Sequence, residues 1–322
     1  MNQPSAQRRH FLKAGAALGA AGLAGCAHTG PSATGKVAYD PKARFELKEF
    51  EVEYRRNPQG RALMARVYQP QGAGPFPVMV DLHGGAWNAK DRTAEQPMNR
   101  AVAASGVLVV AIDLTLASQA PYPASVQDAS YGVRWVKTRA AQWNGDPTTL
   151  GLYGSSSGGH VAELLVLRPD DARYNAIPLP GAPNVNAHVA YMAARSPISN
   201  TWGRYQNAED KKRERMMGNN KAYFVPWESI HEANPQEILE RREKVGLVPM
   251  LIMQGALDDN MLPPLQEKFV ATLKGAGADV SFTVFEGSVH EWTADPGPQT
   301  TRAQEMVKAF IAKQMAAGRR VA

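Results

Sequence analysis

A single cysteine, Cys26, occurs in the 322 residues, so no disulfide can form within the chain. Stability has to come from a packed core, and a chain of about 300 residues can build one without crosslinks. Long apolar runs are also missing. None reaches the ~18 residues that mark a membrane-spanning helix. Charge of one sign is scarcer than the formal net of +6 suggests, because residues 1–25 hold Arg8, Arg9 and Lys13 and no acid; without them 33 basic and 30 acidic side chains remain. No basic stripe interleaved with aromatics is present, which argues against nucleic acid as a partner. What is there, 44% hydrophobic and 20% charged residues, is ordinary globular composition and argues against disorder.

The basic start of the chain reads as an address. Arg8-Arg9-His10-Phe11-Leu12-Lys13, followed by the weakly apolar Ala14 to Ala24, resembles a bacterial twin-arginine export signal, and the apolar part is too short to span a bilayer stably. Leu23-Ala24-Gly25-Cys26 resembles the lipobox that ends in a lipidated cysteine. On that reading residues 1–25 are removed, Cys26 carries the lipid that anchors the protein to a membrane, and Ala27 resembles outer-membrane sorting. Ordinary cleavage after Ala24 or Ala27, releasing a soluble periplasmic protein, stays open. Residues 26–44, with the Gly/Ser/Thr/Pro stretch Thr29 to Gly35, are expected to form a flexible tether, and 45–322 the folded domain.

From there strand and helix signals alternate, which predicts a mostly parallel sheet with helices on both faces. Phe45 to Tyr54 and Arg61 to Tyr68, split by Asn57-Pro58-Gln59-Gly60, read as an antiparallel hairpin. Pro77 to Leu82, Val107 to Ile112, Leu150 to Tyr153, Val248 to Met253 and Val280 to Phe285 read as buried strands, and His188 as the start of another. A helix is expected from Ser125, with Asp128 in a near capping box, to about Trp143, and another from about Gln299 to Met315. Residues 197–240 break the alternation and are expected to form a small inserted cap over the C-terminal edge of the sheet, where ligands bind in such folds. The run Glu209 to Arg215 reads as a solvated helix face. Substrate choice is expected to come from this cap, with one or two of Trp202, Tyr205, Tyr223, Phe224 and Trp227 facing the ligand.

Three loops carry chemistry. Gly154-Ser155-Ser156-Ser157-Gly158 fits G-x-S-x-G between a strand and a helix, where a strained turn lifts the central serine above the sheet. Ser156 is that residue; Ser155 and Ser157 compete only if the register is wrong. His83-Gly84-Gly85-Ala86-Trp87 follows an earlier strand, and glycines there let backbone N–H groups approach a substrate. The donors for a developing oxyanion are assigned to Gly85, Ala86 and Ser157, with His83 bracing the loop. A serine needs a base, and the base an orienting acid. His290, in the loop after the last strand, is the one histidine of seven in place for the base. Asp258 fits the acid by its G-x-x-D spacing, while its neighbour Asp259 caps or braces the same loop. His160 and Glu163, one helical turn apart, lack the further ligands a zinc site needs.

Together these motifs, with Asn144-Gly145-Asp146-Pro147 and Gly159-His160, resemble over about residues 60 to 315 the bacterial esterases related to hormone-sensitive lipase. The resemblance implies an α/β-hydrolase fold and hydrolysis of carboxylic esters through an acyl-enzyme on Ser156, without metal or organic cofactor. Ala86 departs from the family's third glycine, and 197–240 matches no substrate pattern. Asp258-Asp259-Asn260 is also similar to the acid loop of prolyl-oligopeptidase-type peptidases; a peptidase or amidase would need an amine-recognising acid pair, for which Glu228 and Glu232 are the candidates. A non-catalytic binding lipoprotein on the same scaffold is a third reading, against which the intact Ser156, Asp258 and His290 argue. The natural ester and the oligomeric state stay open.

Overall fold

A computed structural model of the chain describes residues 37–321. The export-signal pattern, Cys26 and the Thr29 to Gly35 stretch lie outside the described residues. The elements run β1 (Leu47–Arg56), β2 (Ala62–Pro70), β3 (Val78–Leu82), α1 (Gln96–Ala104), β4 (Leu108–Ile112), α2 (Ala124–Arg139), β5 (Gly151–Ser155), α3 (Ser157–Leu167) and β6 (Met192–Arg195). Four short helices follow, α4 (Thr201–Asp210), α5 (Glu214–Tyr223), α6 (Ser229–Glu232) and α7 (Pro235–Glu240), and then β7 (Met250–Gly255), α8 (Pro263–Gly275), β8 (Val280–Phe285) and α9 (Pro298–Ala316).

The strands form one sheet in the order β1-β2-β4-β3-β5-β6-β7-β8. The hairpin is antiparallel, as is the pairing of β2 with β4; every pair from β4 onward to β8 is parallel. The side-chain period of two divides each central strand between two cores. Val78, Val80, Leu82, Val110, Ile112, Leu152 and Ile252 meet α2, α3 and α8 on one face. Met79, Val109, Ala111, Tyr153, Leu251 and Met253 meet α1 and α9 on the other. Burial on both faces is why these segments read as unbroken apolar runs.

Several local expectations give way to tertiary partners. The described part of the expected tether, 37–44, lies against the domain: Val37 is buried, and the Tyr39 hydroxyl bonds the Ser105 hydroxyl at 2.8 Å. The capping box at Ser125 does not form. Pro123 takes the cap position of α2, Ser125 bonds the Tyr223 hydroxyl at 2.7 Å, and Asp128 accepts from the Thr115 N–H and pairs with Arg55. His188 precedes β6 rather than starting it and pairs with Asp170. The charge run Glu209 to Arg215 is not one helix face, because α4 stops at Asp210 and α5 starts at Glu214.

Candidate active site

Parallel strands put their C-terminal loops at one sheet edge, so the loops after β3, β5, β7 and β8 converge there. Ser156 lies between the end of β5 and the start of α3, with φ 51° and ψ −118°. Such a conformation costs ~1–3 kcal/mol and persists only where the surroundings hold it. Here the Ser156 N–H donates to the Arg195 carbonyl at 3.0 Å, and its own carbonyl accepts from Ile198 at 3.1 Å. The turn is possible only with a glycine after it: a Cβ on Gly158 would stand 1.9 Å from the Leu82 carbonyl oxygen.

The neighbouring serines are committed elsewhere. The Ser155 hydroxyl donates to buried Glu95, and the Ser157 hydroxyl accepts from the Trp87 N–H at 3.1 Å. The Ser156 hydroxyl instead lies 2.9 Å from Nε2 of His290, whose Nδ1 lies 2.8 Å from Oδ2 of Asp258. A carboxylate can only accept, so Nδ1 carries the proton and Nε2 presents its lone pair to the serine. Asp258 is 2% exposed, and its other oxygen accepts from the N–H groups of Asn260 and Met261, each at 2.9 Å. Burial alone would raise its pKa, but the hydrogen bond and charge of His290 and the backbone donors outweigh it and hold the carboxyl below its ordinary value. Asp259 is turned outward and pairs with Arg213 of the inserted segment.

The His83–Trp87 loop lies against this turn. His83 is buried, bonds the Gly84 carbonyl through Nδ1 and accepts from the Leu114 N–H through Nε2; burial pulls its pKa down, so it stays neutral and braces the loop. Gly85 takes φ 105°, where a Cβ would stand 2.0 Å from the Ala89 carbonyl. Ala86 follows at φ 50°, in the left-handed region that alanine tolerates at a cost of ~1–2 kcal/mol. Among the described residues the N–H groups of Gly85, Ala86 and Ser157 have no acceptor. Ser157 opens α3, so its N–H also carries the positive end of that helix. His160 and Glu163 are occupied: His160 accepts from the Trp87 indole and bonds the Ala233 carbonyl, and Glu163 accepts from Ser199.

A cleft of about 710 Å³ opens over Ser156 and His290. The inserted segment does line it, but none of its five aromatics does. Tyr223 stacks on Trp87 at 4.6 Å, with Phe224 against both, and Trp202, Tyr205 and Trp227 cluster together. The wall is largely polar instead, lined by Arg204, Arg213, Glu214 and Arg215 from the insert together with Lys90 and Glu291. Glu228 and Glu232 do not line it, and Glu232 is taken by Arg168 and Arg173. Arg204 is the residue that pattern reading missed; its one signal is a lone arginine inside the aromatic stretch Trp202 to Tyr205.

A mostly parallel sheet covered on both faces, a serine on the turn after a central strand and a capping insert define an α/β-hydrolase fold. The metagenomic carboxylesterase EstE1 has that fold, with a TM-score of 0.67 at 21% identity over 84% of this chain and 90% of that one. So does esterase 2 of Thermogutta terrifontis, in a structure phosphonylated by sarin, with a TM-score of 0.65 at 20% identity over 84% and 94%. Within it the chain belongs to the BD-FAE family, whose family model matches residues 66–273. Esterase LipQ of Mycobacterium tuberculosis is 26% identical over 283 residues, 84% of this chain and 63% of LipQ. Carboxylesterase NlhH of the same species is 36% identical over 102 residues, 31% of this chain and 32% of NlhH. The chain thus spans less than two thirds of the length of either relative.

Proposed function

We propose that this protein hydrolyses carboxylic esters through an acyl-enzyme on Ser156. The observation that carries the reading is the unbroken line Asp258–His290–Ser156, at 2.8 and 2.9 Å, beneath an open cleft. His290 Nε2 takes the hydroxyl proton as Ser156 Oγ attacks the ester carbon. The oxygen that becomes negative is met by the free N–H groups of Gly85, Ala86 and Ser157, each donor of this kind contributing ~3 kcal/mol. His290 then returns the proton to the leaving alkoxide as the ester C–O bond breaks. Water, activated by the same histidine, attacks the acyl group and frees Ser156. The named carboxylesterases among the relatives support this reading. So does the sarin-phosphonylated structure of the Thermogutta esterase. Its test is Ser156→Ala, which should abolish turnover of an aryl acetate with the fold unchanged by circular dichroism. A fluorophosphonate should label the wild type at Ser156 alone, and labelling at Ser155 or Ser157 would refute the assignment.

We also propose that the protein is exported and held at the cell envelope by lipid on Cys26. The twin-arginine and lipobox patterns support this, with lipid tails supplying ~0.8 kcal/mol per buried methylene. Changing Arg8-Arg9 to Lys-Lys should block export, and Cys26→Ser should move the protein out of the membrane fraction. A Cys26→Ser protein that stays with the membranes rules lipidation out as the anchor.

A further inference from the structure

Arg204, on α4, heads the fully buried side chains by size and is 1% exposed, yet it lines the cleft over Ser156. Its Nε donates to Asn260 Oδ1 at 2.7 Å, and its guanidinium lies 5.6 Å from the centre of the Trp87 ring. Neither Nη nitrogen has an acceptor among the described residues, and Nη1 is wholly enclosed. The other two buried arginines among the described residues each have an Nη acceptor. Arg195 meets Glu95 and the His290 carbonyl, and Arg134 ends on the carbonyls of Ser130 and Ile177; half-buried Arg55 meets Asp128. Burial pulls Arg204 down to about 10 against the more distant pull of Asp258, so it remains a cation at neutral pH. A buried cation without an anion is costly, and Asp258 is already bound to His290.

The rest of the wall does not supply the missing charge. Lys90 and Glu291 pair with each other at 2.8 Å, and Arg213 is held by Asp259. The cleft's unbalanced charge therefore rests on Arg204 and Arg215 against Glu214. We propose that the substrate brings the counter-ion: the ester cleaved here carries a carboxylate, and Arg204 binds it through the hydrogens of Nη2, the Nη nitrogen that is not enclosed. A guanidinium N–H donating to a carboxylate is a charge-assisted hydrogen bond, roughly twice as strong as a neutral one. The inference rests on Ser156 being the nucleophile of an esterase.

The test measures kcat/KM on matched esters that differ by one charge. One pair, meta-acetoxybenzoate against meta-acetoxybenzamide, puts the charge on the leaving side. The other, monomethyl adipate against its monoamide, puts it on the acyl side. The wild type should favour the anionic member of at least one pair by roughly tenfold or more, the size of a hydrogen bond to a charged group. Arg204→Gln should bring that ratio near unity, and Arg204→Lys should keep part of it. Ratios at or below unity in both wild-type pairs overturn the proposal, as does a folded Arg204→Gln protein that keeps the preference. The wild-type ratios decide by themselves if Arg204→Gln does not fold. If no ester of either pair is hydrolysed and fluorophosphonate leaves Ser156 unlabelled, the esterase reading itself fails, and this inference with it.

Discussion

Two adjacent aspartates lie in the loop after β7, and their partners separate them. Asp258 receives His290 and two backbone N–H groups, while Asp259 faces outward and holds Arg213. Replacing Asp258 by Asn removes the acceptor that keeps the proton on Nδ1, so kcat should fall by about 10⁴. Asp259→Asn should leave kcat within a fewfold of wild type and act, if at all, through KM, because Arg213 lines the cleft. Steady-state kinetics on one aryl ester checks both; equal losses in kcat would mean that both carboxylates serve the histidine. G-x-x-D spacing pointed to Asp258, because the loop's two-residue reach is local. Only its place inside an aromatic stretch marked Arg204, since lacking a counter-ion is a property of the folded surroundings.

At the scale of elements, β6 does most to join the loops. It is only four residues, Met192–Arg195, with two alanines and no β-branched residue, which is why its span was not legible from propensity. Its last residue reaches three parts of the site. The Arg195 carbonyl holds the Ser156 N–H, one guanidinium nitrogen donates to the His290 carbonyl, and another pairs with buried Glu95. Arg195→Met should cost ~3–5 kcal/mol, because it strands a buried carboxylate, and Arg195→Met with Glu95→Gln should recover part of that. Urea midpoints measure it, and a loss below ~1 kcal/mol would mean that the ion pair is dispensable. The inserted helices show the same limit of pattern reading. Their place between β6 and β7 was legible from the broken alternation, but which face of α4 meets the cleft was decided by packing of the aromatics on Trp87 and on one another.

Across the whole molecule, buried acids give the fold a pH dependence of opposite signs. Asp81, on β3, is pushed up to about 8 by burial and then by Glu95, with Asn99 and Arg195 opposing. Glu163 is pushed up to about 8 by burial, against its bond from Ser199. For both, the protonated form fits the fold, so their stability contribution is complete below the ordinary carboxylate range and is lost as pH rises toward and through about 8. Each contributes at most about 1.4 kcal/mol per pH unit in that window. Asp258, held low, acts the other way and loses its contribution as pH falls below its ordinary range. Melting temperatures should therefore decline between about pH 5 and pH 9, and Asp81→Asn should make the decline shallower. A decline of unchanged slope in that variant would show that Asp81 is ionised in the fold at no cost.

The sequence by itself determined the strands other than β6, whose apolar pattern is a local property, and the three loops, whose glycines are dictated by backbone crowding at each turn. It also determined the order serine, acid, histidine, because parallel strands deliver their loops to one edge. Tertiary structure alone decided which polar groups find partners. Ser125 and Asp128 left a local cap for Tyr223, Thr115 and Arg55, and the cap's aromatics turned into the core and left a charged wall over Ser156. Hydrogen-bonding and ionic groups are satisfied by whatever the fold brings near, often far along the chain, so their pairing, unlike the apolar period, is not written in any short stretch.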